Sequence, residues 1–448
     1  MPAARPLHSS SAVRKGSSRG TGLSGGGERA ARAAALRPVR WSRRWRAQPS
    51  HALTTGHVVV PGDLRSWGGL ALGTVLVTLV VCAVHWSALS ARAISFDDAT
   101  YVSDNYLVSN PSWATVRRLF AEVLEPSTVQ GYYHPLSILS LMLDVYRGGS
   151  LDRPEVFRQT SLLLHVINTI LVIVFIYLCI GRPWVSVGAG LIFGVHPLSV
   201  EPVVWIAARK ALLAATWSLA ALVLYVGYVR RGRRSLYAAS MITYALALLA
   251  KPTSAPLPVL MLILDYWPLG RLNVKRLVEK LPFFAIGLSL GVIAAVSHAR
   301  TATLSLPQGD AVLSSLLLAR QKLAFFLFRP VWPIGLSCYH EVPVAWSWPV
   351  ALGSALVGVA FLVFSLRRVP ALASGILFLI VGTAPILGLF TYGAEWVFAF
   401  DNYLYLPMVG LLMAAASALA WLWNGSSASD SHQSVAYRLR RCAVAAAV

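Results

Sequence analysis

Acidic side chains are scarce here: 18 Asp and Glu face 39 Lys and Arg across 448 residues. Charged residues of both signs reach only 13%, where a soluble domain carries about a quarter. With hydrophobic residues at 56%, this shortage excludes a soluble globular fold and leaves a polytopic membrane protein. The apolar runs are of helix length, so the expected class is all-α. Cysteine is nearly absent too. Cys82, Cys179, Cys338 and Cys442 lie far apart without metal-ligand spacing, which excludes a disulfide framework and a structural zinc site. No internal repeat and no soluble domain is visible.

Positive charge is what abounds, a net +21, and its distribution accounts for it without nucleic acid. Residues 1–65 hold twelve Lys or Arg against Glu28 and Asp63, in a background of Ser, Gly, Ala and Pro. We read them as a disordered cytoplasmic leader. Lys and Arg mark the cytoplasmic side of membrane helices. The first span, 67–89, carries no charge and therefore runs outward from the leader, delivering Asp97 and Asp98 to the outer face. A long outer loop, 92–158, follows. Further spans are expected at about 160–180, 184–198, 211–229, 235–250, 256–269, 281–297, 346–366, 371–390 and 403–423. Counting along them puts Arg230-Arg231-Gly232-Arg233-Arg234, then Arg271, Lys275 and Arg276, then Arg367-Arg368, all on the inner side. Residues 313–332, apolar but broken by Arg320, Gln321, Lys322 and Arg329, are expected as an amphipathic helix on the outer face. The expectation is a transmembrane domain over 66–423 with about ten spans, and a short cytoplasmic tail at 424–448.

This topology separates two kinds of polar residue. Inner loops hold mostly Lys and Arg. The outer ends hold Asp97-Asp98, His134-Pro135, His196-Pro197-Leu198-Ser199-Val200-Glu201, Arg209-Lys210, Lys251-Pro252-Thr253, Glu395 and Asp401-Asn402. A channel would carry polar residues through its span centres, and a secondary transporter would carry interrupted helices in two related halves. Neither pattern is present. Acids, bases and cations converging on one membrane boundary fit a reaction site at the lipid surface.

Each of these residues also has a structural reading. His134 and His196 precede Pro, where a polar residue simply ends or begins a helix. Glu201, wedged between Val200 and Pro202-Val203-Val204-Trp205, is either paired or functional. Arg209 and Lys210 either neutralise Glu201 or grip a phosphate, for which the Arg fork and the Lys point charge both suit. Lys251 either snorkels or joins that grip. Asp144 and Asp265, at helix edges in apolar surroundings, read as structural.

Phe96-Asp97-Asp98-x-x-Tyr101-Val102-x-x-Asn105 resembles the first outer loop of bacterial GT-C membrane glycosyltransferases. The closer resemblance is to the group related to the transmembrane-and-tetratricopeptide O-mannosyltransferases. It continues in Tyr133-His134-Pro135-Leu136-Ser137-Ile138-Leu139-Ser140 and in Leu164-His165-Val166-Ile167-Asn168-Thr169. The most specific block runs from His196-Pro197-Leu198-Ser199-Val200-Glu201 through Trp205 to Arg209-Lys210. Ala250-Lys251-Pro252, Leu264-Asp265-Tyr266-Trp267-Pro268 and Tyr403-Leu404-Tyr405-Leu406-Pro407 complete it.

The resemblance implies a GT-C-like bundle in the bacterial inner membrane with its site facing outward. It implies an inverting transferase that moves a mannose-like hexose from a polyprenyl-phosphate donor to a protein or glycan hydroxyl. Asp97 or Asp98 would be the base, with a lean to Asp98. Arg209, Lys210 and Lys251 would hold the donor phosphate, and His134, His196, Glu201, Asp401 and Asn402 would support them. No cofactor beyond the lipid-linked donor is implied, and a divalent metal is left open. Two departures stand out. Ala211 follows the Arg-Lys pair where an acid is usual, and Asn402 stands where Arg is usual. The tetratricopeptide repeats are missing as well. The alternative is a non-catalytic relative that binds or transports a lipid carrier.

Overall fold

The computed structural model describes residues 64–91, 97–123, 129, 132–300, 310–337, 339–341, 348–388 and 397–426. The chain parts into two units, 1–48 and 49–448, and every described residue lies in the second. Most of the expected leader and tail, Phe96 and Glu395 lie outside the described residues.

The architecture is helical throughout. α1 (Leu64–Val84) leads into a 3-10 turn at Trp86–Ser90. The outer loop folds into α2 (Asp98–Tyr101), α3 (Tyr106–Ser109), α4 (Trp113–Ala121) and α5 (Pro135–Tyr146). α6 (Glu155–Ile180), α7 (Pro183–Val195), α8 (Val200–Val204), α9 (Arg209–Arg231) and α10 (Arg234–Ala250) form the middle of the chain. α11 (Leu257–Tyr266), α12 (Val274–Glu279), α13 (Leu281–Ala299), α14 (Asp310–Phe328), α15 (Trp348–Arg368), α16 (Pro370–Thr383) and α17 (Met408–Ser426) follow. Strands β1 (His340–Glu341) and β2 (Val397–Ala399) pair antiparallel, with His340 opposite Ala399.

Local chemistry sets the helix ends. α6 and α9 stop at Gly181 and Gly232, whose φ of 74° and 68° is the left-handed cap that glycine adopts without strain. Each returns its N–H to a carbonyl four residues back, on Tyr177 and Tyr228, at 2.8 Å. Pro183 opens α7 at a position where no backbone donor is needed. α7 breaks at His196-Pro197, because Pro197 has no N–H and the Leu198 N–H is taken by His196 Nδ1 at 3.2 Å. The segment beyond, Pro197–Val204, turns by 58°. The Gly194 carbonyl, left without its helical donor, accepts from His85 Nε2 at 3.0 Å and His165 Nε2 at 2.9 Å. The bend is thereby stitched to α1 and α6.

One large core joins α6, α7, α9, α10, α11, α16 and α17. A second, smaller core lies under the outer loop. There Tyr101, Val102, Leu107, Val108 and Leu119 pack on Ile138, Leu141 and Phe157 and on the 3-10 turn Ile206–Ala208. The loop is thus a packed cap seated on the start of α9, with its two aspartates at the seam.

Four described helices are long and apolar enough to cross a membrane: Trp67–Ser90, Glu155–Ile180, Ile206–Arg231 and Leu281–Ala299. The bent pair Pro183–Val195 with Pro197–Val204 makes five if it counts as one crossing. This is a helical membrane protein. Shorter apolar helices, such as Arg234–Ala250 and Pro370–Ile386, stand at other expected spans, and helices of crossing length among the described residues do not reach the expected ten. A ten-residue helix such as α11 rises only about 15 Å, half of a bilayer core of about 30 Å.

α14 departs from the expected surface helix. Val312, Leu313, Leu316 and Phe328 are exposed, while Lys322 and Arg329 are buried among the protein's own side chains. Apolar residues lie on both its sides, since Ala319 and Phe326 are buried as well, and Lys322 faces in with them. Just past the helix end, Arg329 Nε donates to Asp401 Oδ1 at 3.1 Å.

Candidate active site

The site is built where the cap meets α9. Asp97 is the residue that precedes α2, and Asp98 is the first residue within it, so the two carboxylates leave the backbone in different directions. Asp98 is 1% exposed, and its Oδ1 accepts from the Ala207 N–H at 3.0 Å. Arg158 and Lys210 lie within electrostatic reach of it. A buried carboxylate needs such partners. Asp98 therefore fastens the cap to the turn before α9. Asp97 is half-buried: burial pushes its carboxyl above the ordinary carboxylate range, and the nearby Lys210 draws it partly back.

Arg209 and Lys210 sit in the first turn of α9, where the helix dipole disfavours cations, so each depends on a local anion. They find different ones. Arg209 is fully buried and spends its donors inside the protein. It pairs with Asp144 Oδ2 at 2.9 Å and donates to Ser161 Oγ at 3.1 Å, Ser140 Oγ at 2.8 Å and the Phe157 carbonyl at 2.5 Å. Its ion pair among the described residues is with Asp144 and not with Glu201. Lys210 points the other way. Its Nζ donates to Tyr101 Oη at 2.6 Å and lies 5.7 Å from the Tyr132 ring centroid, with Asp97 in electrostatic reach.

Lys251 arrives from the end of α10, held there because Ser137 Oγ donates to the Ala250 carbonyl at 2.8 Å. Its Nζ stands 4.7 Å over the Tyr403 ring and makes no ion pair within 4 Å among the described residues. Burial pushes the amine down to about 7, helped by the charge of Lys210 and opposed by that of Glu201.

Glu201 lies in the first turn of α8. Asn402 Nδ2 donates to its Oε1 at 2.6 Å, while Oε2 is sealed from solvent with no hydrogen-bond partner among the described residues. His134, 2% exposed, precedes α5 and packs 5.7 Å from the Tyr101 ring. Its Nε2 is likewise unpartnered among the described residues, and the Tyr132 carbonyl takes the other ring N–H. Burial, with Lys210 and Lys251 nearby, pushes this imidazole down to about 3 and holds it neutral.

The remaining candidates are bonded within the protein. His196 uses both ring nitrogens, Nδ1 for the Leu198 N–H and Nε2 for the Pro330 carbonyl at 3.1 Å. Asp401 receives Arg329, His340 Nε2 at 3.2 Å and the Ser337 N–H at 2.9 Å, tying the segment after α14 and β1 to the 3-10 turn before α17. Asp265 is structural at the opposite, Arg-rich end, where it meets Tyr225, Arg271 and Lys280. Among the described residues no three His, Cys, Asp or Glu group as a metal site.

Three tyrosines belong to the site that residue-type reasoning passed over. Tyr101 and Tyr132 flank Lys210, and Tyr403 lies under Lys251 within electrostatic reach of Asp97 and Glu201 alike. Their signal was present, since Tyr101 and Tyr403 belong to the motif strings around Asp98 and Pro407. Tyr405, two residues on, instead enters the core, with its hydroxyl 2.7 Å from His165 Nδ1.

No family model matches the chain. Over 180 residues it is 28% identical to protein O-mannosyl-transferase TMTC4 of Homo sapiens. That alignment covers 35% of this chain and 24% of the human protein, so the chain spans about a quarter of the curated relative it matches.

Proposed function

We propose that this chain is a membrane glycosyltransferase of GT-C type. It moves a hexose, mannose-like by its resemblance, from a polyprenyl-phosphate donor to a protein or glycan hydroxyl. The observation that carries this reading is the sorting of the adjacent pairs. Asp98 and Arg209 are consumed in the framework, whereas Asp97, Lys210 and Lys251 converge on one tyrosine-lined place. A carboxylate beside two lysines is what glycosyl transfer from a lipid phosphate requires.

In this mechanism Asp97 takes the proton of the acceptor hydroxyl as its oxygen attacks the anomeric carbon. The bond between that carbon and the phosphate oxygen breaks with inversion, and the electron pair leaves on the lipid phosphate. Lys210 and Lys251 stabilise the charge gathering there. No proton is needed on the leaving group, so one carboxylate is enough. The donor's chain stays in the bilayer while its head reaches the seam between cap and α9. The shorter apolar helices complete a bundle of about ten, and the cap faces the outer side of a bacterial inner membrane.

The 28% likeness to a protein O-mannosyltransferase supports the class of reaction. Ala211 and Asn402 favour one second reading, a relative that holds the lipid carrier without transfer. The experiment that separates them supplies membranes containing this chain with radiolabelled polyprenyl-phosphate hexose and follows label into acceptor. Transfer that disappears in Asp97→Asn is the expected result. Binding of the donor without any transfer by the wild type would overturn the enzyme reading.

A further inference from the structure

The two adjacent cations of α9 are held by groups of different charge. Arg209 meets the carboxylate of Asp144 at 2.9 Å, which neutralises it. Lys210 Nζ donates instead to the phenol oxygen of Tyr101 at 2.6 Å and stands 4.4 Å from the ring centroid. Burial pushes that phenol above its ordinary range, so Oη stays uncharged. A phenol fixes an ammonium and leaves its charge in place. An ammonium has three N–H groups, and Tyr101 takes one; the others have no acceptor among the described residues. Tyr101 is itself well anchored. Its N–H closes a turn on the Asp97 carbonyl at 3.1 Å, which sets the two side chains one helical turn apart. Its ring is 3% exposed, packed in the core under the cap with Val102, Leu107 and Phe157.

We infer that Tyr101 is the positioning residue for Lys210: its phenol oxygen holds the ammonium at the seam of the cap, with two N–H groups to spare for the phosphate of the lipid-linked donor. This deepens the proposed function and rests on the phosphate contact assigned there to Lys210. A lysine stem has four flexible carbons, so an ammonium without an anchor swings among rotamers. Asp97 is the anion within its electrostatic reach, yet the two make no ion pair within 4 Å among the described residues. Tyr101 is what keeps them apart. Because Asp97 and Tyr101 belong to one turn, the same short helix sets the proposed base and the post that holds the cation. Tyr101 therefore acts through Lys210 and needs no contact of its own with the donor.

The test uses the full chain in phospholipid nanodiscs and measures binding of sugar-free polyprenyl phosphate, which probes the phosphate contact without chemistry. Tyr101→Phe keeps the ring and its packing and deletes Oη. It is expected to bind polyprenyl phosphate about tenfold more weakly, with the melting midpoint of the wild type. The deciding arm is a double-mutant cycle with Lys210→Met. In that background Tyr101→Phe should cost nothing further, since a residue that acts through Lys210 then has nothing to position. Equal weakening in both backgrounds would show Tyr101 acting independently of Lys210 and overturn the inference. Wild-type binding by Tyr101→Phe, or a loss of binding matched by a lowered melting midpoint, would overturn it too. Each of these results leaves the proposed function standing. A wild type that binds no polyprenyl phosphate would overturn the phosphate contact of the proposed function, and this inference with it.

Discussion

Arg209 and Asp144 meet at 2.9 Å with side chains 1% and 2% exposed, locking α9 to α5 at the base of the cap. Ser140, Ser161 and the Phe157 carbonyl accept further hydrogen bonds from the guanidinium, which holds the pair in place. Breaking such a pair by removing one partner costs about 3–5 kcal/mol. Arg209→Ala should therefore lower the thermal midpoint strongly and reduce yield. The folded fraction should keep its dependence on donor concentration. A well-folded Arg209→Ala protein with weakened donor use would return Arg209 to the phosphate grip.

The two aspartates should fail differently. Asp97→Asn removes the proposed base without touching the Ala207 contact, and losing a general base typically lowers a rate about a hundredfold to ten-thousandfold. Its melting behaviour should match the wild type. Asp98→Asn leaves an acceptor for the Ala207 N–H but takes a charge from beside Arg158 and Lys210. Its main effect should be on stability. Transfer rates and melting curves on both variants decide it, and an active Asp97→Asn protein would move the base elsewhere.

Lys251 tests the phosphate contact. A hydrogen bond to a charged group contributes about 1.5–3 kcal/mol, so Lys251→Gln should weaken donor use roughly tenfold to a hundredfold in a folded protein. The measurement is rate against donor concentration. An unchanged curve would leave Lys251 a structural residue over Tyr403.

The pH profile should have two limbs with separate owners. Asp97 acts only when deprotonated, and burial holds its carboxyl above the usual range, so transfer rises with pH through that elevated value. Lys251 binds phosphate only when protonated, and its amine is pushed down to about 7, so donor affinity falls as pH climbs through that value. The charged neighbours that set this limb are Lys210 and Glu201. Arg stays protonated throughout. Lys251→Arg should therefore flatten the alkaline fall in donor affinity and leave the acid limb in place. Persistence of the alkaline fall in Lys251→Arg would assign it to another group.

Orientation is open to accessibility labelling. A tag at Gly232, in the Arg-rich turn between α9 and α10, should report cytoplasm, and one at Gly148, between α5 and α6, should report the outside. A cytoplasmic signal at Gly148 would reverse the side on which the cap stands.

The sequence alone determined the membrane-helical class, because composition and apolar run length constrain a chain in lipid wherever its helices later pack. The expected spans 160–180 and 211–229 end close to Gly181 and Gly232, since left-handed caps act locally. The sequence also placed the chemistry-bearing residues in a few motif strings. Tertiary structure decided which neighbour in each pair does what. Consecutive helical residues point about 100° apart, so Arg209 turns to Asp144 while Lys210 turns to Tyr101 and Asp97. Asp98 is consumed because the Ala207 N–H stands opposite it, and Glu201 meets Asn402 at Oε1 rather than Arg209 or Lys210. Arg329, just past α14, turns inward because Asp401 lies there. Each partner comes from a distant part of the chain, and only packing brings it within hydrogen-bond range.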